Sequence, residues 1–178
     1  MRTVIVGDPP ELEAWIARRR ALGQDRFDEV WDGEYHMAAG PNFYHGVVVA
    51  ELVLALGRMA KPRGLAVTTE FNVGHDDHNF RVPDLGLHRR TTDAVWLPTA
   101  AMVVEVVSPG DESWLKFDHY AAHHVDEVLI ADPRTRELDL FVLTGDRYER
   151  SDRSGLLDVT VAELHAAIAW PGDNTRSP

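Results

Sequence analysis

Glu105 interrupts a run that is otherwise apolar, Ala-Met-Val-Val-Glu-Val-Val over residues 101–107. A lone charge in such a stretch is costly to bury, so a bound cation or a neighbouring Lys or Arg must compensate it. Asp84, directly after Pro83, lies twenty-one positions earlier, in a stretch that reads as the preceding strand. Two carboxylates brought to one point at a sheet end suit Mg²⁺, with Mn²⁺ as a substitute, because this hard ion takes one or two carboxylates and keeps several waters. The main-chain carbonyl of Val106, next to Glu105, would be a further ligand. Such an ion polarises a phosphoryl oxygen and lowers the pKa of a bound water. Lys116 stands four residues from both Glu112 and Tyr120, a spacing that puts all three on one helix face. A lysine aimed at the carboxylates would orient the attacking water and stabilise charge on the phosphate. The plain alternatives are a turn role for Asp84, a structural ion pair between Glu105 and Lys116, and a surface pair between Lys116 and Glu112.

Other candidates are weaker. His45 lies on the apolar face of a helix, as a satisfied core histidine or as a group supporting the site or its phosphate. Glu70, on the strand before Asp84, is a candidate third carboxylate. His75, Asp76, Asp77 and His78 read as a hairpin turn. His119 and His123 are spaced as a helix-borne pair without an evident third ligand. The five tryptophans are dispersed and read as packing or interface residues.

The elements that must position these groups follow from periodicity. Residues Glu11 to Leu22 have helical spacing. Asp32-Gly33 predicts a hairpin between strands Phe27 to Trp31 and Glu34 to Met37. Pro41 is expected to open a helix with the face His45, Val49, Leu52, Leu56 and Met59, ended by Pro62 and Gly64. Strands are expected at Leu65 to Val73, Phe80 to His88 and Ala101 to Val107, the last a central strand covered on both faces. Ser108-Pro109-Gly110-Asp111 breaks it and starts a helix running to about His124. Val128 to Ala131 is a short buried strand. Glu137 to Leu143 and Arg147 to Arg150 form a hairpin, and Val161 to Ala169 a closing helix. Helix, three strands, helix, strand on a mixed sheet is an α/β domain.

The chain of 178 residues fits one domain, and its 44% hydrophobic and 26% charged residues are ordinary for a globular protein. There is no cysteine, so disulfides and thiolate metal sites are excluded. The apolar runs are too short to cross a bilayer, and Met1 to Pro10 has no apolar signal core; a cytoplasmic location without membrane association is expected. A net charge of −11 argues against broad, nonspecific nucleic-acid binding. Arg18-Arg19-Arg20 and Arg89-Arg90 are short basic runs that read as solvated faces.

Several motifs are held in common with one family. Pro83-Asp84, Glu105-Val106-Val107-Ser108-Pro109, Lys116, Tyr120, Asp32-Gly33-Glu34, His45 and Val128-Leu129-Ile130-Ala131-Asp132-Pro133 resemble the Uma2 family (DUF820), over roughly Phe27 to Tyr148. That family is assigned to the PD-(D/E)XK superfamily. The resemblance implies a restriction-endonuclease-like core, a mixed central β-sheet flanked by helices, with extra N- and C-terminal hairpins. It implies phosphodiester hydrolysis of nucleic acid, DNA first, with Mg²⁺ on Asp84 and Glu105. The superfamily's lysine two residues after the Glu is Val107 here. The Uma2 pattern places a lysine on the following helix, at Lys116. His45, Glu70, Glu112 and Tyr120 are then the expected supporting or substrate-contacting groups. The expected organisation is an N-terminal helical segment over residues 1–26, the endonuclease-fold domain over 27–170 and a loose tail over 171–178. A homodimer is expected, because two sites cut two strands. The alternative is a catalytically inactive nucleic-acid- or protein-binding regulatory module on a nuclease fold.

Overall fold

The computed structural model describes residues 3–5, 10–38, 40–108, 110 and 112–172. Pro109 and Asp111 of the expected strand break, and residues 173–178 of the expected tail, lie outside them. The chain runs through a short strand β1 (Thr3–Ile5) and helix α1 (Pro10–Ala21) into the hairpin β2 (Glu29–Trp31) and β3 (Glu34–Met37). Asp32 and Gly33 turn it with φ of 49° and 87°, the positive values that a two-residue hairpin turn demands. Helix α2 (Phe43–Ala60) begins later than the expected Pro41, because the Asn42 side chain accepts the His45 N–H at 3.0 Å and caps it. The helix ends in a 3₁₀ turn, Lys61–Arg63, closed by Gly64 at φ 72°.

The two strands expected next form one hairpin, and both arms are broken halfway. One arm is β4 (Ala66–Thr69) and β5 (Asn72–Gly74), and the other is β6 (Phe80–Arg81) and β7 (Leu85–His88). The register is continuous across the break: Thr69 faces Leu85, and Val73 faces Arg81. Glu70 therefore stands opposite Asp84, and its N–H donates to the Asp84 carbonyl at 3.4 Å. Glu70 is left-handed, φ 52°, and Pro83 has no N–H to give a ladder, so neither arm continues as regular strand. The break sends the tip of the hairpin into a different sheet from its base.

Strand β8 (Trp96–Leu97) pairs in parallel with β5. Strand β9 (Met102–Val106) is buried throughout and runs parallel to β10 (Glu127–Asp132). Between them the expected single helix is a 3₁₀ turn, Ser113–Lys116, followed by a short α3 (Phe117–Ala122). Strands β11 (Glu137–Thr144) and β12 (Arg147–Ser151) make the expected hairpin. The small pair β13 (Arg153–Ser154) and β14 (Val159–Thr160) was not foreseen. Helix α4 (Val161–Ala166) starts with a Thr160–Glu163 capping box and is shorter than expected.

The main sheet has the order β12-β11-β10-β9-β7-β4, and the second has β1-β3-β2-β6-β5-β8. The expected α/β architecture, helix, three strands, helix, strand, is found as α2, β4, β7, β9, α3 and β10. With its 3₁₀ extension α2 is long and apolar enough to cross a membrane by length and composition alone, which corrects the expectation that the apolar runs are all too short. Its buried stripe, His45, Val48, Leu52, Ala55, Leu56 and Ala60, is turned slightly from the expected one and packs on β4, β7 and β9. That makes it the core helix of the sheet. Alternation along β9 sends Met102, Val104 and Val106 into the core under α2 and α4. Val103 goes to the opposite core, with Tyr120, Val128 and Ile130. Glu105 shares the Val103 side, the face that α3 covers.

Candidate functional site

Glu105 is 3% exposed, on the central strand. Its compensation is local. Lys116 Nζ donates to Oε1 at 3.0 Å, and the Tyr120 hydroxyl donates to the same oxygen. Among the described residues every hydrogen bond to this carboxylate falls on Oε1, so Oε2 is the oxygen available to the cleft. Burial, with the charges of Asp84 and Glu29, pushes the Glu105 carboxyl up to about 8 although Lys116 opposes the shift.

Lys116 has a second partner that sequence reasoning did not select. Glu29, on β2 of the second sheet, lies 2.8 Å from Nζ through Oε1. The same oxygen accepts the Val82 N–H at 2.8 Å, and Oε2 accepts the Trp31 indole N–H at 2.7 Å. Burial alone would raise Glu29, but the Lys116 charge and these hydrogen bonds hold it below the usual carboxylate range. Burial would equally strip Lys116 of its proton, and the two carboxylates outweigh that and raise its pKa. The one signal for Glu29 was its place beside Asp28, two consecutive acids in the strand expected at Phe27 to Trp31. Asp28 is spent on structure: it accepts Arg19 at 2.8 Å, the Tyr35 hydroxyl at 2.6 Å and the Ala38 N–H at 2.9 Å. Arg19, from one of the two basic runs, is thereby taken up inside the chain, and Arg89 likewise pairs with Asp126 at 2.6 Å.

Asp84 lies in the break between β6 and β7 rather than within a strand. Its Oδ2 accepts the Val106 N–H at 2.7 Å, so the carboxylate lies over the residue after Glu105. Its Oδ1 is 3.0 Å from His45 Nε2, and His45 Nδ1 is 3.2 Å from Ser108 Oγ. His45 bridges Asp84 and Ser108 and orients the Asp84 carboxylate. The expected apolar-face histidine is thus brought to the carboxylates.

Glu29, His45, Asp84, Glu105, Val106 and Lys116 line one cleft of about 530 Å³, which Glu70 and Glu112 also reach, and Tyr120 lies behind Glu105. Glu70 pairs with Arg26 at the far side, and Glu112 precedes the 3₁₀ turn instead of sharing a helix face with Lys116 and Tyr120. The structure therefore brings together Asp84, Val106, Glu105, Lys116, Tyr120 and His45, with Glu70 and Glu112 at the margin. His78 is exposed at the tip of the hairpin and His75 rests on His123, ring centroids 5.0 Å apart, so the polar turn does not join the carboxylates. Among the described residues no group of three His, Asp or Glu side chains is arranged as a closed metal cage. The donor set is two hard carboxylate oxygens beside a main-chain strand end. That fits an ion which keeps most of its waters, such as Mg²⁺, and does not fit one that needs a full protein cage.

Residues 9–169 match the family Uma2, whose description reads "Putative restriction endonuclease". The crystal structure of a "putative nuclease belonging to DUF820" from Anabaena variabilis ATCC 29413 shares the fold, with a TM-score of 0.63 over 79% of this chain and 90% of that one, at 17% identity. The type IIG restriction endonuclease BpuSI aligns at a TM-score of 0.40 and 14% identity, over 74% of this chain and 17% of that one. No curated protein matches the chain.

Proposed function

The chain belongs to the Uma2 family, and from that premise we propose that it is a divalent-metal-dependent endonuclease that hydrolyses phosphodiester bonds of nucleic acid, DNA first. The observation that carries this is the pair of carboxylates, Asp84 lying over Val106 and Glu105 one residue before it, both facing one cleft. Asp84 and Glu105 are the proposed metal ligands, with the Val106 carbonyl beside them and Mg²⁺ as the ion. When bound, that ion would polarise a phosphoryl oxygen and lower the pKa of a water.

The chain's own groups supply the rest. His45 fixes the Asp84 carboxylate and keeps it from turning. Glu105 would have to be ionised to hold the cation, so metal binding would weaken as pH falls. Lys116 is kept charged by Glu29 and Glu105, and it would stabilise the phosphate or orient the attacking water. It would do so from a helix, in place of the lysine absent at Val107. Tyr120 keeps Oε1 of Glu105 inward, which directs Oε2 to the cleft.

The second reading, an inactive regulatory module on the same fold, is favoured by one observation: Lys116 already satisfies two carboxylates, Glu29 at 2.8 Å and Glu105 at 3.0 Å. Purified protein incubated with plasmid and single-stranded DNA in Mg²⁺ or Mn²⁺ separates the two. Cleavage that disappears in EDTA and falls by at least about a hundredfold in Asp84→Asn and Glu105→Gln is expected. Cleavage that survives both substitutions unchanged removes the assignment, and metal binding without turnover supports the second reading.

A further inference from the structure

A second pocket, of about 410 Å³, adjoins the cleft. Ser108 and Gly110 line both, so the chain just past β9 is their common wall. The floor of this pocket is the sheet face that carries Glu105. Ile130 on β10 pairs with Glu105 on one side and with Asp139 on the other, and Asp132 pairs with Glu137. Alternation therefore puts all five side chains on one face. At about 4.8 Å per strand, Asp139 stands roughly 10 Å across the sheet from Glu105. Val107, where the superfamily has its lysine, forms an apolar part of the wall. Trp114 lines this pocket and not the cleft. Its ring is braced by Phe117 and Phe141, each with centroids 5.4 Å away, while the residue stays 48% exposed. Three carboxylates line the pocket, and two of them are engaged. Asp132 accepts the Arg134 N–H at 2.8 Å and its guanidinium at 3.1 Å, and Asp139 pairs with Arg150. Glu137 makes no side-chain hydrogen bond or ion pair among the described residues.

We propose that this pocket is a base subsite: it takes one unstacked base of the strand whose phosphate lies at Asp84 and Glu105, guanine in preference, with the ring on Trp114 and the Watson–Crick edge on Glu137. The proposal rests on the nuclease reading of the cleft and names the substrate feature read beside the cut. Carboxylates outnumber the one lining arginine, Arg134, so the pocket repels a phosphate and suits an uncharged group. A base is uncharged, flat on its faces and polar at its edge. Its face stacks on an aromatic ring, and a ring already fixed in place loses little freedom when covered. The edge decides which base. An ionised carboxylate is a pure acceptor with two oxygens. Guanine has two neighbouring N–H donors, N1–H and the N2 amino group, that meet both. Adenine and cytosine offer an amino donor beside a ring acceptor, and thymine offers one N–H between two carbonyls. The shared wall at Ser108 and Gly110 sets the base next to the phosphate, and a base turned out of its stack can be read in such a side pocket.

The test is a fluorescence-anisotropy titration with Ca²⁺ as the cation. The probes are short labelled thymidine strands that carry one internal guanine, one internal adenine or neither. The guanine strand is expected to bind about tenfold more tightly than the all-thymine strand, with the adenine strand between them, and to quench tryptophan emission. Glu137→Gln presents one acceptor and one donor in place of two acceptors, and is expected to bring the guanine strand down to the level of the others. Trp114→Ala is expected to weaken every strand roughly tenfold and to remove the quenching. Melting temperatures check that both variants fold, and the exposed Glu137 carries the test alone if Trp114→Ala does not. Equal binding of the guanine and all-thymine strands by the parent protein, or binding of neither, overturns the proposal. So does a guanine preference that survives Glu137→Gln. The two readings fail separately. Guanine-selective binding without cleavage in Mg²⁺ or Mn²⁺ removes the nuclease and keeps the pocket's assignment, whereas cleavage indifferent to the base beside the cut removes the base subsite and leaves the chemistry.

Discussion

Lys116 carries one positive charge between two carboxylates that are 5% and 3% exposed, Glu29 and Glu105. Removing the lysine therefore differs in kind from removing one acid. Lys116→Met leaves both carboxylates buried without their cation and is expected to cost about 3–5 kcal/mol in chemical denaturation. Glu105→Gln leaves one acid for one lysine, keeps an acceptor for the Tyr120 hydroxyl, and is expected to change stability by less than about 1 kcal/mol. Its effect falls instead on metal binding. Equal losses in the two variants would contradict this account of the cluster. His119 gives a second residue-level expectation. Burial holds its pKa down to about 4, and the hydrogen bond to the Val73 carbonyl at 2.9 Å only partly opposes this. A histidine with a depressed folded pKa binds fewer protons folded than unfolded. The stability it lends is complete above about pH 6.5 and is lost as pH falls toward 4. The loss is on the order of 1–3 kcal/mol. His119→Gln keeps a donor for Val73, and thermal melts between pH 4 and 7 should then have a shallower acid slope.

At the scale of elements, the broken hairpin places a bare glycine where two sheets part. A Cβ at Gly86 would overlap the Phe71 ring, which also packs edge-on against His88 with centroids 4.6 Å apart. Gly86→Ala is expected to destabilise the fold by about 1–3 kcal/mol in urea denaturation, as overpacking of a filled core does. An unchanged denaturation midpoint would mean that Phe71 moves aside freely. These elements also mark how far the sequence can be read. The apolar run of β9, the stripe of α2 and the Asp32-Gly33 turn were legible because each is a local pattern. The site residues on those elements, Glu105 and His45, were legible with them. The breaks at Glu70 and Asp84 were not, since each arm is a good strand by pattern and only the change of sheet divides it. Pro83 was the single local hint. Glu29 escaped because its partner is supplied by an element far along the chain, and no spacing rule links a hairpin strand to a 3₁₀ turn.

For the whole molecule, a cation bound only by the folded cleft must stabilise it by mass action. At a concentration one hundred times the dissociation constant the gain is about 2.7 kcal/mol, seen as a higher melting temperature in Mg²⁺ or Mn²⁺ than in EDTA. Asp84→Asn and Glu105→Gln should abolish the difference, and a shift that persists in both would place the cation elsewhere. The site draws on both sheets at once. Glu29 comes from the second, Glu105 from the main one, and Asp84 from the strand pair that passes between them. That passage has a mechanical consequence. Two antiparallel arms interrupted at the same level, Glu70 opposite Asp84, define a crease. If the smaller sheet tilts against the larger one, it turns about that line, and points on an axis of rotation are displaced least. Asp84 lies on the crease, and Glu105 is tied to it through Val106, whose N–H the Asp84 carboxylate accepts. A tilt of that kind would widen or narrow the cleft while leaving the two carboxylates at their spacing.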